Sequence, residues 1–235
     1  MHAQVVSSAI LGLALSTGVC AADQDAEKKS ISVSGNVALV SDYKFRGISQ
    51  TDGGPGIQGG FDVVFANGFY LGTWGSNVDY ANSLEVDYYG GFRGDITESL
   101  NFDVRYLYYD YPSTPDEAPY GEFYGELGFQ GFTFGLAYSD DYYLETGKFL
   151  YTSADYGTEL GGFGLNFHLG HNAFDSDKYL GGAGDSYLDY SATINRVWGG
   201  VDWTLSLVST DLDKAECFGE DWCDLSAVFS VSKSL

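Results

Sequence analysis

The sequence predicts an all-β protein, a single closed antiparallel transmembrane barrel of about twelve strands. Three observations predict it. Apolar and polar side chains alternate residue by residue in one segment of the chain after another. The connections between these segments are alternately long and short. Gly, Tyr and Phe are abundant, at 32, 19 and 16 of 235 residues, and a chain so rich in aromatic residues is not of the disordered class.

The alternation is clearest between residues 84 and 129. Side chains of a strand point to opposite faces with a period of two, so an alternating segment has one apolar and one polar face. We expect the first segment here to end in a turn at 94–99. In that segment the apolar Leu84, Val86, Tyr88 and Phe92 alternate with Glu85, Asp87, Tyr89 and Arg93.

Twelve such segments can be placed along the chain. Residues 69–77 and 148–159 alternate least regularly, so the expected number is about ten to fourteen strands. The segments are 31–41, 56–65, 69–77, 83–93, 100–111, 122–129, 132–139, 148–159, 163–171, 187–195, 201–208 and 225–235.

The lengths of the connections indicate how the strands are arranged. The connections after odd-numbered segments are mostly long, whereas those after even-numbered segments are short, as at 66–68 and 161–162. This is the pattern of an outer-membrane barrel, and a soluble sandwich has no reason to place every long loop at one end. Closure also pairs the two edge strands. In lipid, their backbone N–H and C=O groups would otherwise have no hydrogen-bond partner. We expect tyrosines near strand ends to lie at the membrane interfaces. The alternative is an ordinary antiparallel β protein.

Charge excludes one class of partner. The chain has 33 acidic and 11 basic residues, a formal net charge of -22, so a nucleic acid backbone would be repelled. After the N-terminal leader, no run of about 18 apolar residues suggests a transmembrane helix. A lipid bilayer is therefore expected to be crossed by strands.

The N-terminal part is expected to direct export. Residues 1–22 resemble a cleaved signal peptide, with an apolar core at 9–15 and the small residues Ala21 and Ala22 before the cleavage point. The alternative makes Cys20 a lipid anchor. Residues 23–30 are then a flexible periplasmic terminus, and 31–235 form the single barrel domain in the outer membrane. The two remaining cysteines, Cys217 and Cys223, are expected to form a disulfide in an exported chain, with two free thiols as the alternative.

The polar face predicts the lining of a pore. Eight carboxylates and two arginines make a negative interior, which favours small cationic or neutral solutes and disfavours anions. We expect Arg93 and Arg105 to pair with some of the carboxylates. The alternative is a hydrogen-bonded polar plug, since buried charges must be paired, which would leave a structural or adhesive barrel acting through its loops. The expected lumen residues are Asp62, Glu85, Asp87, Arg93, Asp103, Arg105, Glu122, Glu126, Asp189 and Asp202.

Other candidate sites are weaker. His168 and Asn166, on the inward face of one segment, raise the hypothesis of a membrane lipid hydrolase with a Ser-His pair, but no serine has a recognisable nucleophile context. The interpretation favoured here is an ordinary polar lumen group, so we predict no catalytic residue and no cofactor. The loop at 211–224 carries six carboxylates, but it lacks the residue order of a calcium-binding EF-hand loop. No metal site is predicted, and a solvated acidic loop is expected.

Several stretches resemble a known family. They are Tyr43 to Thr51, then Gln58 to Asp62, then Gly68 to Asp79, with further likeness at 85–91, 109–112 and 230–234. These stretches resemble the TorF-type family of proteobacterial porins, most densely in the first third of the mature chain. The resemblance implies an outer-membrane location and a pore, and it supplies no catalytic or ligand-binding residues.

Overall fold

The computed structural model describes residues 31–80, 84–112, 119–182 and 184–235. The signal-peptide and terminal predictions for 1–30, including Cys20, lie outside the described residues. Among the residues that are described, no helix is long and apolar enough to cross a membrane. The strands of the described chain are β1 (Ile31–Val40), β2 (Lys44–Phe45), β3 (Ile48–Ser49), β4 (Gly56–Phe65), β5 (Phe69–Asn77), β6 (Leu84–Thr97), β7 (Leu100–Asp110), β8 (Tyr120–Phe129), β9 (Phe132–Ser139), β10 (Phe149–Leu160), β11 (Phe163–Phe174), β12 (Ser186–Trp198), β13 (Val201–Thr210) and β14 (Ser226–Ser234).

Twelve of these strands form one closed antiparallel barrel, in the order β1-β4-β5 and onward to β14, which pairs again with β1. The closing seam pairs Asn36 with Ser234 and continues to Val40 with Ser230. Gly35 and Leu235 extend it with two backbone hydrogen bonds of 3.3 and 2.8 Å. The predicted closed twelve-stranded barrel is confirmed.

The predicted turn at 94–99 is too long. β6 continues to Thr97, and its register against β7 shifts between Asp95 and Thr97. The continuation follows the alternation, since Asp95 pairs with Asn101 while Ile96 is exposed. The turn between the two strands is therefore reduced to residues 98–99.

Short turns join the strands at one end of the barrel and long loops join them at the other. The turn between β10 and β11 is Gly161-Gly162, both with positive φ, as a two-residue type I′ hairpin requires. The long loops follow β1, β5, β7, β9, β11 and β13, and the loop after β9 contains a short 3-10 turn at Tyr143–Glu145. We call the two ends the short-turn end and the long-loop end.

The two faces of the barrel differ in polarity. The outer face is apolar and exposed, as at Val33, Ile57 and Phe61, which are 68%, 66% and 64% exposed. Of the 19 Tyr, 6 are exposed on the outer face, and the expected position of tyrosines near strand ends at the membrane interfaces stays a prediction. The other tyrosines lie in the lumen or the long loops, where the hydroxyl can bond to buried carboxylates. The exposed ones are Tyr88, Tyr106, Tyr108, Tyr138, Tyr156 and Tyr190.

Candidate functional site in the barrel lumen

The loop after β1 forms a small hairpin, β2–β3, in which Lys44 pairs with Ser49 and Phe45 with Ile48. Its two-residue turn is Arg46-Gly47, with φ of 47° and 83°. Two successive residues with positive φ are the mark of a type I′ turn, and Gly at the second position makes it favourable. A Cβ on Gly47 would also collide with the side chain of Thr210 on β13.

The hairpin lies inside the barrel. Its residues contact inward side chains on β7, β8, β10 and β12, which only a segment within the lumen can do. Tyr187 on β12 donates a 3.1 Å hydrogen bond to the carbonyl of Arg46, and the ring of Phe45 lies 5.8 Å from that of Tyr109 on β7. From the sequence, only a long connection between segments 31–41 and 56–65 was predicted, and the position of the hairpin was not.

Arg46 at the tip is bound to Glu122 on β8. Its two terminal nitrogens each donate a 2.8 Å hydrogen bond to a different oxygen of that carboxylate. Both side chains are buried, at 5% and 0% exposure. Burial lowers the pKa of Arg46, but Glu122 outweighs burial, and the pKa lies well above its ordinary value. Arg46 also donates to Tyr124 and Tyr142, and it lies 4.5–4.6 Å from the rings of Phe45, Phe149 and Tyr151.

The base of the hairpin is attached to the last long loop. The Nζ atom of Lys44 donates a 2.7 Å hydrogen bond to the carbonyl of Trp222 and lies 3.3 Å from Asp42. The backbone NH of Ser49 donates to the same carbonyl at 3.0 Å. Trp222 lies within the disulfide loop, because the predicted Cys217–Cys223 bond is present. The disulfide loop therefore holds the hairpin base.

Two acidic residues of β6 lie beside the hairpin. Glu85 accepts hydrogen bonds from Tyr43 at 2.8 Å and from Tyr111 at 3.1 Å. Burial first and then Glu85 raise the pKa of Tyr43 well above its ordinary value, so its hydroxyl stays protonated and donates. Asp87 differs, because it is 0% exposed and neither carboxylate oxygen has a hydrogen-bond partner among the described residues.

In the half of the lumen nearer the short-turn end, charged and tyrosine side chains form a connected row across β4 to β8. Arg105 contacts Asp103 at 3.3 Å and Glu126 at 2.8 Å, and Asp103 also accepts from Tyr70 at 2.6 Å. These three charged side chains keep 10–19% exposure. Arg93 departs from the expectation: its guanidinium lies 5.2 Å from the ring of Tyr70, and it makes no ion pair within the described part of the chain.

The remaining predicted lumen residues also point inward. Asp62 accepts a 2.7 Å hydrogen bond from Tyr89, and Asp202 accepts from Asn195 at 3.2 Å. Asp189 belongs to the histidine cluster described next. All ten predicted lumen residues are therefore buried or half-buried on the inner face. Whether they line a conducting pore stays a prediction.

His168 on β11 lies between two carboxylates. Its Nδ1 is 2.8 Å from Asp155 on β10 and its Nε2 is 2.9 Å from Asp189 on β12. Tyr151 approaches the same Nε2 at 2.9 Å. With carboxylates on both ring nitrogens, the imidazole is held as a cation that donates twice. Its hydrogen-bond partners in the described chain include no serine, although Ser191 is its cross-strand neighbour on β12, so the Ser-His hydrogen bond of the hydrolase hypothesis is not formed.

Sequence reasoning missed Asp155 and the basic residues of the hairpin. Asp155 lies on β10, where the expected alternation fails because the inward Phe149 and Tyr151 are aromatic and the outward Thr152 is polar. The hairpin had only a weak signal, since Gly47 suits the second position of a two-residue turn whereas Arg46 is not typical of the first.

The acidic loop after β13 is internally bonded. Asp213 and Glu216 exchange side chain to backbone hydrogen bonds of 2.9 and 3.0 Å, and Lys214 contacts Asp221 at 2.7 Å on the exposed surface. In the described residues, no group of three or more His, Cys, Asp or Glu side chains is arranged to hold a metal ion.

Comparison with models of known protein families gives one match. A family model described as a bacterial protein of unknown function (Gcw_chp) matches residues 24–235. The chain belongs to the Gcw_chp family. The finer TorF-type resemblance is not tested by this match and stays a prediction. No curated protein matches this Gcw_chp chain.

Solved structures share the fold of this Gcw_chp protein at low sequence identity. A KdgM porin structure has a TM-score of 0.54 at 11% identity, covering 86% of this chain and 97% of that one. A NanC porin structure has a TM-score of 0.55 at 7% identity, covering 86% and 98%. KdgM in complex with disordered oligogalacturonate gives 0.50 at 9% identity, covering 86% and 96%. At such identities the likeness shows the fold.

Proposed function

We propose that the protein is an outer-membrane channel of the porin type, for passive diffusion of small solutes. The observation that carries the proposal is the inverted polarity of the closed barrel, with an apolar exposed outer face and a charged interior. Water-soluble proteins seldom expose so much contiguous apolar surface, whereas lipid requires it. The shared fold with KdgM and NanC porins supports the same function. The cleaved signal peptide proposed for 1–22 would deliver the chain across the inner membrane.

We propose further that the channel prefers cations. The inward carboxylates outnumber the inward basic groups even after the hairpin adds Lys44 and Arg46, and Asp155 joins the eight predicted acids. A narrow passage with excess fixed negative charge lowers the free energy of cations and raises that of anions. Among the inward acids near the short-turn end, the side chains of Asp103 and Glu126 keep 16% and 19% exposure and therefore meet solvent.

The hairpin defines the narrowest part of the proposed channel. Around it, the inward acids are fully desolvated, with Glu85, Asp87, Glu122 and Asp189 at 0–3% exposure. The lumen is therefore filled at the long-loop half and open to water toward the short-turn end. In this proposal, ions pass either through a narrow path beside the hairpin or after the hairpin moves away from its position in the lumen.

Reconstitution in planar lipid bilayers tests the proposal. The refolded mature protein is expected to conduct, and in a KCl gradient its reversal potential is expected to have the sign of cation selectivity. A variant with Asp103→Asn and Glu126→Gln should lose part of that selectivity. A matched pair in the exposed loop, Glu216→Gln and Glu220→Gln, should keep more of it. Anion selectivity of the natural protein would contradict the charge argument.

The same hairpin favours a second candidate function, a plugged structural or adhesive barrel that acts through its long loops. The two functions differ in one measurement. A plugged barrel stays silent in the bilayer both with the hairpin intact and after Arg46→Ala releases its tip, whereas the channel conducts in both cases and more strongly in the second.

A further inference from the structure

The outer rim at the short-turn end carries a cation among aromatic rings. Arg196 on β12 is exposed on the outer face, three residues before the Gly199-Gly200 turn, and its guanidinium lies 4.9 Å from the ring centre of Phe163. Trp203 lies beside it on β13, with its ring 6.3 Å from that of Trp198 and 6.0 Å from that of Phe229. These five residues line an open groove of 490 Å³.

This positive charge has no acidic partner among the described residues. Arg196 makes no ion pair with any residue that the structure describes. Lys233 on β14 points to the same outer face, and its Nζ donates a 2.9 Å hydrogen bond to the carbonyl of Gly200. Of the Lys and Arg residues on the described strands, these are the two that face outward, since Lys44, Arg93 and Arg105 lie in the lumen. In a chain with net charge -22, both outward cations lie at one rim.

The position of Arg196 at the outer rim indicates which kind of anion it binds. At the boundary of a bilayer, the side chain of an outward arginine reaches the headgroup layer, and the anion within reach there is a lipid phosphate. Guanidinium binds phosphate with two parallel hydrogen bonds, and tryptophan favours the zone between headgroups and acyl chains. Arg196 and Lys233 are separated by one strand, about 10 Å across, so flexible side chains from both can reach one headgroup.

We propose that Arg196 and Lys233 form a binding site for the phosphate of an anionic glycerophospholipid, with Trp198 and Trp203 packing against its glycerol and upper acyl region. This inference rests on the proposed membrane location, and it does not depend on whether the barrel conducts. The site lies on the leaflet at the short-turn end, outside the lumen.

Lipid binding to the purified protein in detergent micelles tests the site. The probes are phosphatidylglycerol, which is anionic, and phosphatidylcholine, which has the same phosphate but no net charge. Binding is followed by native mass spectrometry and by the shift in melting temperature. The natural protein should bind phosphatidylglycerol more tightly than phosphatidylcholine. The double variant Arg196→Ala/Lys233→Ala should bind it about 25-fold more weakly, about fivefold for each basic residue removed.

A matched control is available in the long loops. Lys148 and Lys178 are exposed at the opposite end, and Lys148→Ala/Lys178→Ala removes the same net charge. That variant should keep the preference for phosphatidylglycerol. Arg196→Lys should keep part of it, because the charge remains while the paired hydrogen bonds are lost.

Three results would overturn the site: equal binding of the two lipids by the natural protein, unchanged phosphatidylglycerol binding by the Arg196/Lys233 variant, or equal stabilisation by millimolar inorganic phosphate. The last result would mean that Arg196 and Lys233 bind free phosphate and not a lipid. A protein that stays dispersed without detergent and binds neither lipid contradicts the membrane location itself, whereas a silent barrel that still prefers phosphatidylglycerol contradicts the channel alone.

Discussion

Arg46 and Glu122 are joined by two parallel hydrogen bonds of 2.8 Å, although 76 residues separate them in the chain and neither is open to solvent. This pair fixes the tip of the β2–β3 hairpin to the wall of β8. Removing one partner of a buried ion pair leaves the other charge uncompensated, which is far more costly than removing both.

Arg46→Ala is therefore expected to lower the free energy of unfolding by about 3–5 kcal/mol and to raise the single-channel conductance, because the hairpin tip is released. The double variant Arg46→Ala/Glu122→Gln should be less destabilised than Arg46→Ala, since no buried carboxylate is left unpaired. Urea unfolding in detergent and bilayer recordings measure the two effects. Full stability with unchanged conductance in Arg46→Ala would show that the pair does not hold the hairpin.

Asp87 should be a costly residue for stability. Its carboxylate is buried without a hydrogen-bond partner among the described residues, close to Glu85 and Glu122. Asp87→Asn removes a buried ionisable group at almost constant shape, and we expect it to raise the free energy of unfolding by about 1–3 kcal/mol. Asp62→Asn is the control on the same face. Because Asp62 accepts from Tyr89, its replacement should be neutral or destabilising. Destabilisation by Asp87→Asn would indicate a role for the charge that outweighs its burial.

His168 is expected to stabilise the barrel and not to catalyse. His168→Ala leaves Asp155 and Asp189 facing each other without the cation between them, and the expected loss is about 3–5 kcal/mol. His171→Ala, on the outer face of the same strand, should change stability little. Unfolding midpoints of the two variants give the comparison. A phospholipid hydrolysis activity that disappears with His168→Ala would restore the enzyme hypothesis.

Gly72 on β5 has a steric requirement. A Cβ there would collide with the ring of Tyr89, whose hydroxyl donates to Asp62 at 2.7 Å. Gly72→Ala must displace that ring, and the expected loss is about 1–3 kcal/mol. Gly125→Ala on β8 is the matched control, because a Cβ there meets no atom within 4 Å. The melting temperature should fall for the first variant and stay nearly constant for the second. Equal changes in melting temperature for the two variants would contradict a steric requirement for glycine at position 72.

The barrel could be predicted from the sequence because every strand needs apolar side chains toward lipid and polar side chains toward the lumen. In β6, the outward Leu84, Val86 and Tyr88 and the inward Glu85 and Asp87 follow from a period of two. The rule weakens on β10, where the lumen is filled by aromatic residues and the inner face is no longer the polar one. Asp155 was missed for that reason.

The hairpin could not be placed from sequence for a different reason. Its local conformation follows from Arg46-Gly47, but its position depends on partners far along the chain, such as Glu122 and Trp222. No periodic pattern encodes such contacts. The pairing of Arg105 with Glu126 was within reach, since neighbouring strands carry both, whereas the stacking of Arg93 on Tyr70 instead of an ion pair required the side-chain geometry.

The seam between β1 and β14 joins the first described strand of the barrel to the last. One hydrogen-bonding edge of residues 31–40 pairs with β4, and the other stays open until residues 226–234 arrive to complete it. Closure is thus the final event of assembly, and the hairpin that follows β1 is enclosed at that step. A partly assembled sheet would expose its apolar face and one unpaired strand edge, which favours aggregation until closure.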